Sequence, residues 1–217
     1  MLSTLTMMKK LTALNLYSKI YNSPFCCELC RGPAGGSGIC IACLQDLPIL
    51  VNICDFCGVE LPQTGICGNC LHHKPSLNRT VCAYKYTYPM DKLIKNIKYK
   101  QRLSSLPTLV SQLVMNITIH SAVKVDLIIP VPMPKSRMIL RGMNQALEIA
   151  KQIGQELNIP VNCYGLKRIR YTQAMHTLDT TLRQINVSGA FTWSGDLPES
   201  VVIVDDIITT GATCSEI

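Results

Sequence analysis

Residues 201–213, VVIVDDIITTGAT, decide the fold of this 217-residue chain. The four β-branched apolar residues at its start predict a short strand that is buried on both faces, as in a parallel sheet. Asp205 and Asp206 follow at the carboxyl end of that strand, where the ligand crevice of such a sheet lies. The small, hydroxyl-rich turn TTGAT then opens a helix, and its backbone amides can hold a phosphate. The stretch therefore predicts a sugar-phosphate site, with carboxylates for the ribose hydroxyls and amides for the 5′-phosphate.

The residues before this stretch alternate between helix and strand patterns. Apolar periodicity predicts helices over 106–123 and 144–157, a buried strand over 125–129, and a last helix from 213 onward. Alternating elements of this kind predict an α/β domain with a parallel sheet, which we assign to residues 103–217. A complete domain should finish its last helix and add further sheet. We therefore expect either a C-terminal truncation of the domain or an unusually short C-terminal edge.

The N-terminal half contains a duplicated cysteine unit. Ten of the twelve cysteines fall between positions 26 and 82, and aligning Cys27 with Cys54 superimposes CELC on CDFC and the first GIC on the second. A C-x2-C turn points two thiolates at one ion, and two such turns complete a tetrahedral shell. Residues 26–75 are therefore predicted to be a tandem zinc-ribbon-like module with two structural zinc ions. The predicted ligands are Cys27, Cys30, Cys40 and Cys43 for the first ion, and Cys54, Cys57, Cys67 and Cys70 for the second.

The spacing leaves the exact ligand sets open. The first pair could join the third and the second the fourth, in a cross-braced arrangement, and Cys26 could replace Cys27. His72 and His73 could act as substitute ligands. A redox role is disfavoured, because four C-x2-C pairs in tandem lack a thioredoxin-like strand and helix.

The net charge of +7 is localised in a connector, residues 76–102, and the few residues before it. Against Asp91 alone, positions 74–102 carry eight basic residues: Lys74, Arg79, Lys85, Lys92, Lys95, Lys98, Lys100 and Arg102. The pattern predicts a short strand over 81–89 and a helix over 91–102 with Lys92, Lys95 and Lys98 on one face. That face either meets a phosphate-bearing ligand of the next domain or is solvated. The module itself carries four acidic residues against two basic ones, which argues against phosphate binding by its surface.

The N-terminal extension, residues 1–25, lacks the continuous apolar core of a signal peptide. No apolar run approaches the roughly 18 residues of a membrane span. We therefore expect the protein to be cytoplasmic. In the cytoplasm, clustered cysteines bind metal more often than they form disulfides.

Four motifs together make the chain resemble the ComF/GntX family over about residues 26–217. VVIVDDIITTGAT matches the 5-phosphoribosyl-1-diphosphate (PRPP) signature of type I phosphoribosyltransferases at every position, and the others are DLIIPVP at 126–132, RGMNQA at 141–146 and RQINVSGAF at 183–191. The resemblance implies a type I phosphoribosyltransferase-like domain behind the zinc module. It also implies a transferase that binds PRPP with Mg²⁺, transfers its pentosyl group, and is associated with competence and DNA uptake.

The resemblance also implies roles for individual residues. The PRPP-binding residues would be Asp205, Asp206, Thr209, Thr210, Gly211, Ala212 and Thr213. The diphosphate loop would contain Arg137, Arg141 and Gly142, and the mobile hood Arg168, Thr172, Gln173 and Arg183. Purine-salvage relatives carry a carboxylate where Thr209 stands, so neither the acceptor nor a catalytic base follows from the motif. The alternative is a non-catalytic accessory factor of natural transformation, which binds single-stranded DNA and competence proteins and uses the fold as a phosphate or PRPP sensor.

Overall fold

The computed structural model describes residues 25–120, 124–170, 187–209 and 211–217. Two short helices lie in the cysteine-rich region, α1 (Ile41–Gln45) and α2 (Gly68–His72). The remaining elements follow in the order α3 (Met90–Lys100), α4 (Leu106–His120), β1 (Leu127–Pro130), α5 (Lys135–Arg141), α6 (Gln145–Leu157), β2 (Leu166–Arg168), β3 (Phe191–Trp193), β4 (Val201–Val204) and α7 (Ala212–Glu216).

Strands β1 and β4 form the parallel sheet that the sequence predicts. They pair in register from Leu127 opposite Val201 to Pro130 opposite Val204, and Val161 forms a parallel bridge to Ile128 on the other side of β1. The antiparallel pair β2 and β3 forms a separate small sheet. The prediction of an α/β fold with a parallel sheet and a cysteine-rich module is therefore confirmed.

Several predicted elements differ from the structure in extent or burial. β4 has the predicted bounds, but Val201 is exposed and Val202 and Ile203 are only half-buried, because β4 pairs with β1 alone among the described residues. The strand predicted over 81–89 is wrong: its backbone forms a single bridge, between Tyr84 and Ile49. α6 begins at Gln145, one residue after the predicted start, because Asn144 is its N-cap and accepts a hydrogen bond from the Ala146 N–H.

One hydrophobic core joins the first cysteine repeat to the α/β domain. It contains Cys27, Ala34, Ile39 and Leu47 of the repeat together with residues of α3, α4, α6, β1 and β4: Met90, Leu93, Ile94, Ile97, Leu106, Leu109, Val110, Ile128, Ala150, Ile153 and Val204. Helix α3 contributes Met90, Leu93, Ile94 and Ile97 to this core because its apolar residues recur at helical spacing. The connector helix therefore belongs to the same core as the first cysteine repeat and the sheet.

Glu28, between the first two cysteine ligands, attaches the repeat to α4. Its side chain is 1% exposed, and one carboxylate oxygen accepts hydrogen bonds from the Ser104 hydroxyl at 2.7 Å and the Ser105 N–H at 3.0 Å. A carboxylate at the start of a helix is stabilised by the unpaired backbone amides there. Glu28 is thus a buried charge and does not contribute to the surface charge of the module.

In the part of the chain that the structure describes, no helix is both long and apolar enough to cross a lipid bilayer.

Candidate functional site

The eight predicted cysteine ligands form two groups of four, one in each repeat. Within each group the sulfur atoms all lie within 4.8 Å of one another, which gives the within-repeat grouping and not the cross-braced one. Cys26, His72 and His73 belong to neither group. Four sulfurs placed tetrahedrally at about 2.3 Å from an ion lie about 3.8 Å apart. The Cys30–Cys40 and Cys57–Cys67 sulfur pairs are each 3.7 Å apart, so both groups fit a tetrahedral metal ion.

The backbone repeats the duplication that the sequence shows. The bridge between Cys26 and Pro33 recurs at the equivalent positions of the second repeat, between Ile53 and Glu60. The Cys27 N–H donates to the Gly32 carbonyl at 2.8 Å, and the Cys54 N–H donates to the Val59 carbonyl at the same distance. Helices α1 and α2 likewise occupy equivalent positions in the two repeats. The module is therefore one folding unit used twice.

The first cysteine of each group is set up to carry a thiolate. Burial acts to raise the pKa of Cys27, but hydrogen bonds from the backbone amides of Cys30, Cys40 and Leu29 lower it to about 6 overall. The pKa of Cys54 in the second group is lowered to about 6 in the same way, by the amides of Cys67, Cys57 and Phe56. Amides that point at a sulfur stabilise its anionic form, which is the form that binds metal.

A cleft of about 620 Å³ opens at the carboxyl ends of β1 and β4. Its described lining includes the signature residues Asp205, Asp206, Thr209, Gly211 and Thr213, which follow β4. Arg137 and Arg141 of α5 and Arg168 of β2 line the other walls, and Lys95 and Lys98 of α3 complete the charged groups. Five cations and two carboxylates facing one cleft favour a ligand with several negative charges.

The two carboxylates have different surroundings. Burial and the neighbouring charge of Asp206 raise the pKa of Asp205 to about 7, although the Asp206 N–H, Lys98 and Arg168 partly oppose the shift. Asp206 instead has a direct cationic partner, because its Oδ2 lies 3.0 Å from the Lys98 Nζ. Asp205 can therefore accept or donate a proton near neutral pH, while Asp206 is paired with Lys98.

Arg137 and Arg168 crowd two positive charges into the cleft. Burial lowers the pKa of Arg168, and the charge of Arg137 lowers it further, against the attraction of Asp205. The buried Nε of Arg168 has no hydrogen-bond partner among the described residues. An anion between the two guanidinium groups would relieve their repulsion and accept a hydrogen bond from this Nε.

Helix α3 and its C-cap Gln101 make three contacts that the sequence analysis did not predict residue by residue. Besides the Lys98–Asp206 ion pair, the Gln101 side-chain amide donates to the Arg141 carbonyl at 2.9 Å. The Arg141 guanidinium lies over the Tyr99 ring, 5.4 Å from its centroid. Gly142 is required at the end of α5, since a Cβ there would lie 2.7 Å from the Gln101 amide nitrogen and φ is +73°. The lysine periodicity of α3 was the one sequence signal for its role in the cleft.

The remaining predicted site residues divide into two sets. Arg137 and Arg141 lie on helix α5, with Gly142 as its C-cap, so the predicted loop is largely helical. Ala212 begins α7. Thr172, Gln173, Arg183 and Thr210 lie outside the described residues.

Most of the basic connector already has partners within the chain. Lys85 pairs with Glu60 and Lys95 with Asp91, and Lys98 is paired inside the cleft. Lys74 lies over the Phe56 ring, and Arg79 is 3.7 Å from Asp55. The three lysines Lys92, Lys95 and Lys98 therefore do not form one solvated cationic face.

The chain is similar to curated proteins over most of its length. It is 32% identical over 204 residues to DNA utilization protein YhgH of Salmonella typhimurium, and 32% identical over 204 residues to Competence protein F of Haemophilus influenzae. It is 31% identical over 205 residues to DNA utilization protein YhgH of Escherichia coli strain K12. Each alignment covers 89% of this chain and 89% of the relative. No family model and no solved structure matches the chain.

Proposed function

Because the chain belongs to the ComF family, we propose that its cleft binds PRPP and that the protein acts as a phosphoribosyltransferase-like factor in competence or DNA utilisation. The observation that carries the proposal is the cleft at the carboxyl ends of β1 and β4, where Asp205 and Asp206 face Arg137 and Arg168. Vicinal ribose hydroxyls suit the two carboxylates, and a diphosphate suits the two guanidinium groups. The Thr209, Gly211 and Thr213 side of the cleft remains for the 5′-phosphate.

The chemistry that this arrangement supports is departure of diphosphate from a ribosyl carbon. Negative charge develops on the leaving diphosphate, and Arg137, Arg141 and Arg168 are placed to stabilise it. Mg²⁺ bound with the diphosphate would supply further charge neutralisation. The carboxylates position the ribose, and Asp205, with a pKa of about 7, can take up or release a proton there.

Calorimetry with Mg²⁺ and PRPP on the metal-loaded full chain tests the proposal. We expect saturable binding of PRPP to the wild type. The affinity should fall by at least about a hundredfold in the double variant Asp205→Asn/Asp206→Asn, because the two carboxylates that accept hydrogen bonds from the ribose hydroxyls lose their charge. Glu156→Gln is a matched control, since Glu156 lies at the far end of α6 and does not line the cleft. Equal affinity of the wild type and the double variant would refute a PRPP site at these carboxylates.

The two cysteine groups, in this proposal, each hold one structural Zn²⁺. Four sulfurs leave no position for water, which is typical of structural and not catalytic zinc. We expect two zinc ions per purified chain by atomic emission, and one in either Cys27→Ser or Cys54→Ser. A wild-type chain with fewer than two ions after refolding with excess zinc would contradict the assignment.

We propose as a second candidate a non-catalytic factor that binds single-stranded DNA, a role compatible with relatives named DNA utilization protein and Competence protein F. Tyr86 and Tyr88 are exposed within the basic connector, and bases can stack on such side chains. This candidate predicts salt-dependent affinity for an oligonucleotide that weakens in Tyr86→Ala/Tyr88→Ala and is unaffected by PRPP. Fluorescence anisotropy with labelled DNA at two salt concentrations distinguishes the two functions.

A further inference from the structure

Helix α3 touches both charged walls of the cleft. At its C-terminal end, Lys98 pairs with Asp206 after β4, and Gln101 binds the Arg141 carbonyl at the end of α5. Tyr99, which lies between Lys98 and Gln101 in the sequence, has its ring under the Arg141 guanidinium. The helix is anchored by apolar side chains that are buried in the core, among them Leu93 and Ile97. Lys98 is therefore held in the cleft by the packing of the whole helix.

The Lys98–Asp206 pair is largely withdrawn from water. The two side chains are 14% and 15% exposed, so separating them leaves two poorly solvated charges. A ribose that offers its hydroxyls to Asp206 must displace the ammonium group. That exchange is unfavourable unless Lys98 gains another anionic partner at the same time. A neutral sugar offers no such partner, whereas a phosphorylated sugar offers one.

We propose that Lys98 is a phosphate-binding residue of the cleft. On binding, Lys98 exchanges Asp206 for an anionic oxygen of the incoming ligand, and Asp206 becomes free to accept hydrogen bonds from the ligand's hydroxyls. The inference rests on the proposed function, because it assigns a ligand group within the same cleft. It makes the cleft selective for phosphorylated over unphosphorylated ribosides. It also gives the basic connector a specific task, since one of its cations serves the phosphate site.

Calorimetry with two probes, inorganic diphosphate and PRPP with Mg²⁺, tests the exchange on the full metal-loaded chain. Lys98→Met should weaken binding of both probes by at least about tenfold, since a charge-assisted contact is lost. Lys98→Arg should stay within about threefold of the wild type, because it keeps the cation. The control is Lys100→Met, which lies further along the same helix, exposed and outside the cleft lining.

Asp206→Asn provides an independent test that keeps Lys98 in place. Releasing Lys98 from its pair should increase the affinity for inorganic diphosphate several-fold, while the affinity for PRPP falls because the ribose loses its carboxylate. Opposite changes for two probes are not expected from a variant that has merely lost structure. Melting temperatures of all variants identify any that fail to fold.

The outcomes separate this inference from the proposed function. Unchanged or tighter binding of both probes by Lys98→Met would overturn the inference and leave Lys98 as a counter-ion of Asp206 alone. A wild-type chain that binds diphosphate but not PRPP would refute the proposed function, and the Lys98 variants would still decide the inference on diphosphate. Binding of neither probe by the wild type would overturn both.

Discussion

The two cysteine repeats have the same local structure and different surroundings. Their sulfur groups and short helices correspond when Cys27 is aligned with Cys54, and so do the Cys26–Pro33 and Ile53–Glu60 bridges. Yet Ile39 of the first repeat is 2% exposed, whereas its counterpart Ile66 is 40% exposed. A Cβ on Gly38 would lie 2.3 Å from the Ser104 backbone, while one on Gly65 would meet nothing within 4 Å. The same unit is thus a core element in one copy and a peripheral element in the other.

The residue between the first two cysteines shows what causes the difference. In the first repeat this residue is Glu28, which is buried and bonded to Ser104 and Ser105 before α4. In the second it is Asp55, whose exposed carboxylate lies 3.7 Å from Arg79. The shorter side chain forms a surface ion pair, which contributes little to stability. Metal binding therefore shapes each repeat locally, and contacts with α4 decide which repeat shares the stability of the domain.

The largest expected effect comes from removing one ligand from each group in turn. Cys27→Ser should abolish the main thermal transition or destabilise it by more than about 5 kcal/mol, because metal binding supplies folding free energy to a repeat inside the core. Cys54→Ser should lose the second ion but keep the main transition within a few degrees. Circular dichroism melts with metal analysis measure both. If the two variants melt alike, the repeats are energetically equivalent and the comparison is wrong.

The equivalent isoleucines test packing without touching the metal ligands. Ile39→Ala should lower the free energy of unfolding by about 2–4 kcal/mol, since it leaves a cavity in the shared core. Ile66→Ala should lower it by less than about 1 kcal/mol, because Ile66 is already partly solvated. Urea denaturation of both variants at saturating zinc gives the two values. Similar losses would show that Ile66 is covered in solution.

The residues between the paired cysteines test the attachment to α4. Glu28→Gln should cost about 1–2 kcal/mol of unfolding free energy, since the Ser104 and Ser105 donors lose a charged acceptor. Asp55→Asn should cost less than about 0.5 kcal/mol, as an exposed ion pair does. Both variants are nearly isosteric, so denaturant midpoints compare charge alone. A larger loss of unfolding free energy in Asp55→Asn than in Glu28→Gln would show that the second repeat, and not the first, is attached more strongly to the domain.

The local parts of the structure could be predicted from the sequence, and the contacts between distant segments could not. The cysteine grouping follows from a repeat written in the sequence, and the bounds of β4 follow from four consecutive β-branched residues. The burial of Glu28 and the Lys98–Asp206 pair depend on how α3 and α4 pack, which periodicity does not specify. The strand expected over 81–89 does not form for the same reason. An alternating pattern becomes a strand only where a neighbouring segment pairs with it, and within 81–89 only Tyr84 forms a bridge, to Ile49.

The smallest expected effect is the pH dependence of stability that arises from Asp205 in the cleft. It tests whether the cleft unfolds together with the first repeat and not with the second. The pKa of Asp205 is raised to about 7 from an ordinary value near 3.8, so the native state holds its proton more tightly than the unfolded state. The stability this proton contributes is complete below about pH 4 and is lost as the pH rises through 7. In Asp205→Asn the side chain stays neutral at every pH, so no buried charge has to form at pH 8. The variant also loses the attraction of Lys98 and Arg168 for that charge, which offsets much of this stabilisation. The free energy of unfolding of the variant should therefore exceed that of the wild type at pH 8 by about 1 kcal/mol.

Hydrogen exchange at pH 6 and 8 resolves where that difference lies. If the first repeat and the cleft unfold together, Asp205→Asn should slow exchange at pH 8 for the hydrogen-bonded amides of Cys27 and Leu93 alike. The amides around Cys54 should exchange as in the wild type, because they open without the core. The rise in pH from 6 to 8 should destabilise the wild type more than the variant, at conditions under which the thiolates keep their metal. Equal protection of both repeats would mean that the second repeat also unfolds only with the domain, and the difference in burial between Ile39 and Ile66 would then have no energetic counterpart.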